Sequence, residues 1–141
     1  MPRIPGISVV RSSIHGYGVV ATRAFAPGDV IAEVDGILWR AEEGQDDRYS
    51  LWVDGDVYMD MVDQTRWINH SCKPNSEIEA ELDGNGGAWA RVVAIEPIAD
   101  GEELTYDYAF PWQLAEPCAC GAPTCRGFIV DADELGMLKR R

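Results

Sequence analysis

Apolar residues along this chain recur in short alternating runs rather than at helical spacing. Over 76–82, Ile78, Ala80 and Leu82 point one way and Glu77, Glu79 and Glu81 the other, the period-two pattern of a half-buried strand. Asp83-Gly84-Asn85-Gly86-Gly87 then supplies positive-φ residues for a hairpin turn into a run over 88–95. Further runs with strand character lie at 7–11, 18–23, 30–38, 49–53 and 103–108, and Pro27-Gly28-Asp29 and Ala99-Asp100-Gly101 read as turns between them. Helical pattern is confined to one turn at 64–68 and a short terminal helix over 131–138, with Lys139, Arg140 and Arg141 at its favourable C-terminal end. The pattern predicts a mainly β fold of many short strands, with a proline- and cysteine-bearing appendage over 111–126.

The length of 141 residues suits one domain with a real hydrophobic core. No apolar run is long enough to span a bilayer, and no apolar leader follows Met1-Pro2-Arg3. That leaves cytoplasm, nucleus and export without a conventional signal as expected locations. A net charge of −12 speaks against direct nucleic-acid binding through a basic patch and against attraction to an anionic membrane. Eleven acidic residues fall between Asp29 and Asp63, against Arg40 and Arg48. Such a stretch is either a solvated face that keeps the protein soluble or a field that attracts a basic partner.

The four cysteines change the picture. Three cluster as Cys118-Ala-Cys120-Gly-Ala-Pro-Thr-Cys125, and the fourth, Cys72, lies within Asn69-His70-Ser71-Cys72-Lys73-Pro74-Asn75. A structural zinc takes four ligands, so one metal at Cys72, Cys118, Cys120 and Cys125 uses every thiol in the chain. The alternatives are a disulfide to Cys72 or Cys125 in an oxidising compartment and unpaired buried thiols.

Three other segments carry chemistry. His15-Gly16-Tyr17-Gly18 is a turn that lets a ligand approach the backbone, and glycine pairs are also ordinary turns. Asn69 and His70 offer donors and acceptors, while Ser71, Cys72 and His70 are too close in sequence to aim at one point as a hydrolase. Tyr106 and Tyr108 share a face if 103–108 is a strand, and line either a channel or an aromatic core.

Taken in order, Gly-Tyr-Gly, Asn-His-Ser-Cys-x-Pro-Asn, Glu-Leu-Thr-Tyr-Asp-Tyr and Cys-x-Cys-x-x-x-x-Cys-Arg-Gly resemble a SET-domain protein lysine methyltransferase with a post-SET zinc segment. The resemblance runs from about residue 7 to 129. It implies several small curved sheets around a pseudo-knot, in which the C-terminal strand region passes under the Asn-His-Ser loop and brings Asn69 and His70 beside Tyr108. The implied division is a SET domain over 5–110, a post-SET segment over 111–130 and a short tail over 131–141.

The implied cofactor is S-adenosylmethionine. Gly16, Tyr17 and Gly18 would lie along its methionine end, the Asn69 amide on its amino group and the His70 backbone on its adenine, with Phe128 or Trp112 stacking there. Tyr108 matches the active-site tyrosine, Tyr106 the neighbour that limits how many methyl groups are added, and Tyr49 is placed, by position alone, as a third wall of the lysine channel. The implied partner is a basic lysine-bearing protein or peptide such as a histone tail, which suits the acidic stretch. The chain lacks a cysteine-rich region before the domain and a large insertion over 46–68, and a homodimer is one arrangement that would supply the missing cover. The rival readings are a SET fold that holds basic peptides without transfer, and a thiol protein using Cys72.

Overall fold

A computed structural model describes residues 3–43 and 50–138. Among the described residues, twelve short strands form five small sheets, with little helix. Strands β1 (Ile7–Arg11) and β2 (Tyr17–Ala21) make an antiparallel pair. β3 (Val30–Glu33), β8 (Ser76–Leu82) and β9 (Ala88–Ala94) make a sheet in the order β3-β9-β8. β4 (Gly36–Arg40), β5 (Ser50–Asp54) and β6 (Val57–Met61) make another in the order β4-β6-β5. β7 (Asn69–His70) runs parallel to β10 (Thr105–Tyr106), and β11 (Glu116–Pro117) pairs with β12 (Phe128–Ile129).

The strand over 76–82 matches its expected bounds, and the following turn closes as its residues require. Gly84 and Gly86 adopt φ of 83° and 84°, while Asp83 Oδ1 accepts from the Asn85 and Gly87 N–H groups. Leu82 departs from the alternation: it reaches past the core and is exposed. The single run expected over 30–38 breaks into β3 and β4 in different sheets. At the break, Val34 N–H donates to the Ala90 carbonyl and Asp35 N–H to Asp63 Oδ2 at 2.7 Å. Asp63 also caps the 3₁₀ turn Gln64–Trp67, the single turn expected there. The expected terminal helix is a 3₁₀ turn, Ala132–Glu134, running into α1 (Leu135–Leu138); its basic end, with Lys139, Arg140 and Arg141, lies outside the described residues. Among the described residues, no helix is long and apolar enough to cross a membrane.

One core joins the sheets through Val19, Val92, Ile68, Ile98 and Leu104. The segment before β10 is stitched to β2, with Ala21 N–H donating to the Glu102 carbonyl and Leu104 N–H to the Val19 carbonyl. Leu104 is fully buried at that seam. Leu104→Ala is expected to cost about 3 kcal/mol of stability, from lost burial plus the cavity left behind. Urea unfolding checks it, and a cost under about 1 kcal/mol would mean the seam collapses around the gap.

Candidate active site

The parallel pairing of β7 with β10 sets Asn69 opposite Thr105 and His70 opposite Tyr106, across a long gap in sequence. Asn75, from the same loop, holds the arrangement. Its Nδ2 donates to the Glu103 carbonyl at 2.9 Å and to Glu102 Oε2 at 3.0 Å, and its Oδ1 accepts from Thr105 N–H at 3.0 Å. Asn75 is buried, so these bonds satisfy an amide that would otherwise be costly to keep there.

Asn69 Nδ2 lies 3.0 Å from each of four acceptors: Ser12 Oγ, the His15 and Tyr17 carbonyls, and Glu103 Oε2. An amide has two N–H bonds, so this cluster holds more acceptor capacity than Asn69 can fill. Ser12 Oγ donates to the Glu103 carboxylate at 2.8 Å and receives the Ile14 N–H at 2.9 Å, shaping the Gly16–Gly18 turn. Gly16 has φ 51° and open space where a Cβ would stand. This acceptor-rich turn, open at Gly16, suits the ammonium end of an amino-acid-like cofactor. Ser12 and Glu103 belong to it as much as Asn69 does, although Ser12 stands outside the sequence motifs and Glu103 carries no expected role within its own.

A Cβ on Gly18 would stand 2.5 Å from Glu103 Oε2 and 3.0 Å from Ser12 Cβ. Gly18→Ala is therefore expected to push Glu103 out of the cluster and weaken cofactor binding by about 10-fold or more, the cost of losing one charge-assisted contact. Calorimetric titration with the cofactor checks this, and unchanged affinity would show that the carboxylate moves freely.

Tyr106 and Tyr108 have ring centroids 4.7 Å apart, and the Tyr108 ring meets Phe110 at 5.6 Å and His70 at 5.4 Å. The strand ends at Tyr106, short of the expected 108, because Asp107 turns back to accept the Ala109 N–H at 2.9 Å and Ala109 adopts φ 50°. The Tyr108 hydroxyl donates to the Ile68 carbonyl, which fixes the position of its oxygen. The Tyr106 hydroxyl meets the Met61 sulfur at 3.9 Å, and burial, with Tyr108 beside it, keeps this phenol neutral by raising its pKa far above the usual range. Both rings line a groove of about 1030 Å³. Tyr49 lies outside the described residues.

His70 connects this groove to the cysteines through its side chain as well as its backbone. Nδ1 accepts the Tyr108 N–H at 3.1 Å, and Nε2 lies 3.4 Å from Cys72 Sγ. Burial, opposed by Asp107 and aided by Arg126, lowers its pKa to about 4, so the ring is neutral and the remaining proton sits on Nε2, facing sulfur.

The four Sγ atoms of Cys72, Cys118, Cys120 and Cys125 all lie within 4.8 Å of one another, and Cys72 and Cys118 are 3.9 Å apart. A tetrahedron with Zn–S bonds of about 2.3 Å separates its sulfurs by about 3.8 Å, so the donor set fits zinc with small adjustments. Burial opposes the Cys120 thiolate, but N–H groups of Cys72 and Ala122 and the neighbouring thiols outweigh it and draw its pKa to about 6; burial pushes Cys118 up to about 12. The cluster thus sets one readily ionised thiol, Cys120, beside two that burial holds back, Cys72 and Cys118, a set that a divalent cation would ionise together.

Arg126 adds a link with no sequence forewarning beyond its place after Cys125. Its guanidinium grips Asp107 in two 2.9 Å bonds, and its N–H lies 3.4 Å from Cys72 Sγ. The cysteine segment is thereby tied to the residue between the two tyrosines. Trp112 and Phe128 do not line the groove; Phe128 is exposed on β12, opposite Pro117. The acidic stretch is also dispersed. Glu43, Asp54 and Asp56 line a separate pocket, while the groove's carboxylates are Glu77, Asp107, Asp131 and Glu134.

Comparison with known proteins gives a family model described as SET domain, matching residues 16–109. Histone-lysine N-methyltransferase 2B of Homo sapiens is 37% identical over 141 aligned positions, covering 87% of this chain and 5% of that protein. The H3 lysine-4 specific histone-lysine N-methyltransferase of Schizosaccharomyces pombe is 37% identical over 133, covering 84% of this chain and 14% of its own length. The chain thus spans a small part of these relatives. Among solved structures, KRYPTONITE in complex with mCHH DNA, H3(1-15) peptide and SAH superposes with a TM-score of 0.74 at 26% identity, over 87% of this chain and 29% of that one.

Proposed function

The chain belongs to the SET domain family, and from that premise we propose that it transfers a methyl group from S-adenosylmethionine to the side-chain nitrogen of a lysine on a basic protein, a histone or histone-like chain. Two facts about similar proteins support the reading: the curated relatives are histone-lysine methyltransferases, and a structural neighbour holds SAH and a histone H3 peptide. The observation that carries it is that the β7–β10 pairing sets Asn69 and His70 beside the two tyrosines, Tyr106 and Tyr108, that line the groove, with the Tyr108 hydroxyl tethered to Ile68. For a histone substrate, the site of action is the nucleus.

When bound, the cofactor supplies an electrophilic methyl, so that the C–N bond forms as the C–S bond breaks and its electron pair stays on sulfur. The acceptors gathered around the Asn69 amide, which are Ser12 Oγ, the His15 and Tyr17 carbonyls and the Glu103 carboxylate, would hold the cofactor's ammonium. Phe128 or Trp112 would stack on its adenine, and Tyr49 would complete the lysine channel. The attacking nitrogen needs a free lone pair, and a free lysine has a pKa of about 10.4. The aromatic walls of Tyr106, Tyr108 and Phe110 disfavour the ammonium by desolvation, and its proton leaves to water in the groove. The Tyr108 oxygen, held by its bond to the Ile68 carbonyl, would accept weak contacts from the polarised methyl and help align the transfer. Cys72, Cys118, Cys120 and Cys125 would hold one zinc with no open position, which makes its role structural.

The Tyr106 hydroxyl meets only a weak acceptor in Met61 and can hold a water beside the lysine nitrogen. That occupancy limits the product to mono- or dimethyllysine. Tyr106→Phe is expected to shift products toward trimethyllysine by mass spectrometry; trimethylation by the native protein would remove this role. The reading as a whole is tested by incubating the protein with labelled S-adenosylmethionine and a panel of basic proteins. Label on lysine is expected, and cofactor binding without transfer to any of them would favour a peptide-holding module instead.

A further inference from the structure

One wall of the groove is formed by the face of the β4-β6-β5 sheet that turns away from the core. Trp39, Tyr58 and Trp52 stand directly opposite one another across the three strands, so their side chains share that face. Trp39 and Tyr58 stack with centroids 4.7 Å apart and planes 18° from parallel. Trp52, on the edge strand, is 60% exposed, far more than a ring kept for packing needs to be. All three line the groove that also contains Tyr106 and Tyr108.

Both indole N–H groups of the strip are satisfied internally. Trp39 Nε1 donates to Asp60 Oδ1 at 2.9 Å and to Ser50 Oγ at 3.0 Å, and Trp52 Nε1 to the Gly55 carbonyl at 2.9 Å. The rings therefore offer π faces rather than donors. Asp60, two residues along β6 on the same face, is buried, also accepts the Ser50 hydroxyl, and is ion-paired with no lysine or arginine among the described residues. A carboxylate backing an aromatic face makes that face favourable to a cation. Glu77, Asp131 and Glu134 also line the groove, and among the described residues no lysine or arginine does.

We propose that the Trp39–Tyr58–Trp52 strip is a docking subsite for an arginine side chain flanking the target lysine in the substrate, an inference that rests on the methyl-transfer reading and gives it a sequence preference. Arginine fits better than a second lysine. Its planar, weakly hydrated guanidinium stacks flat on a ring while its edge still reaches a carboxylate. The acidic groove then supplies charge complementarity along the peptide, and the strip supplies the choice of residue.

The test uses short peptides bearing one lysine, with arginine or uncharged citrulline at successive flanking positions. Binding is read by calorimetry and methylation by label transfer. At one position or more, arginine is expected to bind about 10-fold tighter than citrulline. Trp52→Leu, which keeps apolar area and loses the π face, is expected to erase that preference without changing affinity for the citrulline peptide, and Trp52→Phe to retain most of it. Equal binding of arginine and citrulline at every position would overturn the subsite, as would a Trp52→Leu effect of the same size on both peptides. An arginine preference that disappears in Trp52→Leu, seen alongside no label transfer to any peptide, would uphold the subsite and count against methyl transfer.

Discussion

Tyr108→Phe is expected to lower the rate of methyl transfer by about 10²–10³-fold while leaving the fold and cofactor affinity nearly intact. The ring keeps its contacts with Tyr106, His70 and Phe110, and the Tyr108 N–H still donates to His70 Nδ1. What disappears is one hydroxyl and its bond to the Ile68 carbonyl, a loss of about 1 kcal/mol of stability. On the proposed function the rate suffers more, because the same oxygen, fixed by that bond, would stand where charge shifts during transfer. Single-turnover rates with labelled cofactor, set beside a thermal melt, separate the two effects. A rate within a few-fold of native would remove Tyr108 from the point of transfer. Tyr106→Phe provides the contrast: one hydroxyl is expected to govern whether transfer occurs, its neighbour how many times.

The difference between what the sequence foretold and what the fold supplies follows the range of the interactions. The alternation over 76–82 is local and is realised at those bounds as β8. β6 was not anticipated, although Val57, Met59 and Met61 alternate with Tyr58 and Asp60; a buried acid and an aromatic on its outer face disguise the period within an acidic stretch. β7 and β10, of two residues each, are too short to carry a period and exist only because they pair with each other. At the site, the motifs indicated Asn69, His70, Tyr106, Tyr108 and the cysteines. They did not indicate Ser12, whose carboxylate partner Glu103 is 91 residues away, or the grip of Arg126 on Asp107. Ser12 lies outside the motifs, and Glu103, Asp107 and Arg126 lie inside them with nothing in their spacing to say which side chain each would meet. Asn75 is the intermediate case: it was visible in the motif, yet its work is done on residues 102–105 and shows only once the two segments meet.

Removing metal is expected to abolish transfer by a route that leaves much of the β core standing. The core residues Val19, Val92, Ile98 and Leu104 lie outside the cysteine cluster, so far-UV circular dichroism should change little on chelation. The cysteine segment, by contrast, reaches the tyrosines through two links. Cys72 faces His70, which receives the Tyr108 N–H, and Arg126, next to Cys125, holds Asp107 between Tyr106 and Tyr108. With zinc gone, Cys72 and Cys118 would reprotonate, His70 would lose a thiolate to donate to, and the segment carrying Arg126 would be released. A displacement of about 1 Å at Tyr108 is enough to cost about 10²-fold in rate. Cys72→Ser should reproduce most of that loss, because it removes the ligand nearest His70 as well as one quarter of the donor set. The measurement is zinc content against rate across a chelator titration, with re-addition of zinc restoring both. Arg126→Ala separates the two links: zinc stays stoichiometric while the rate falls, because Asp107 alone is set loose. Full activity in protein stripped of metal would show that the Arg126–Asp107 pair holds the segment closed by itself, and that the four thiols are dispensable to the chemistry.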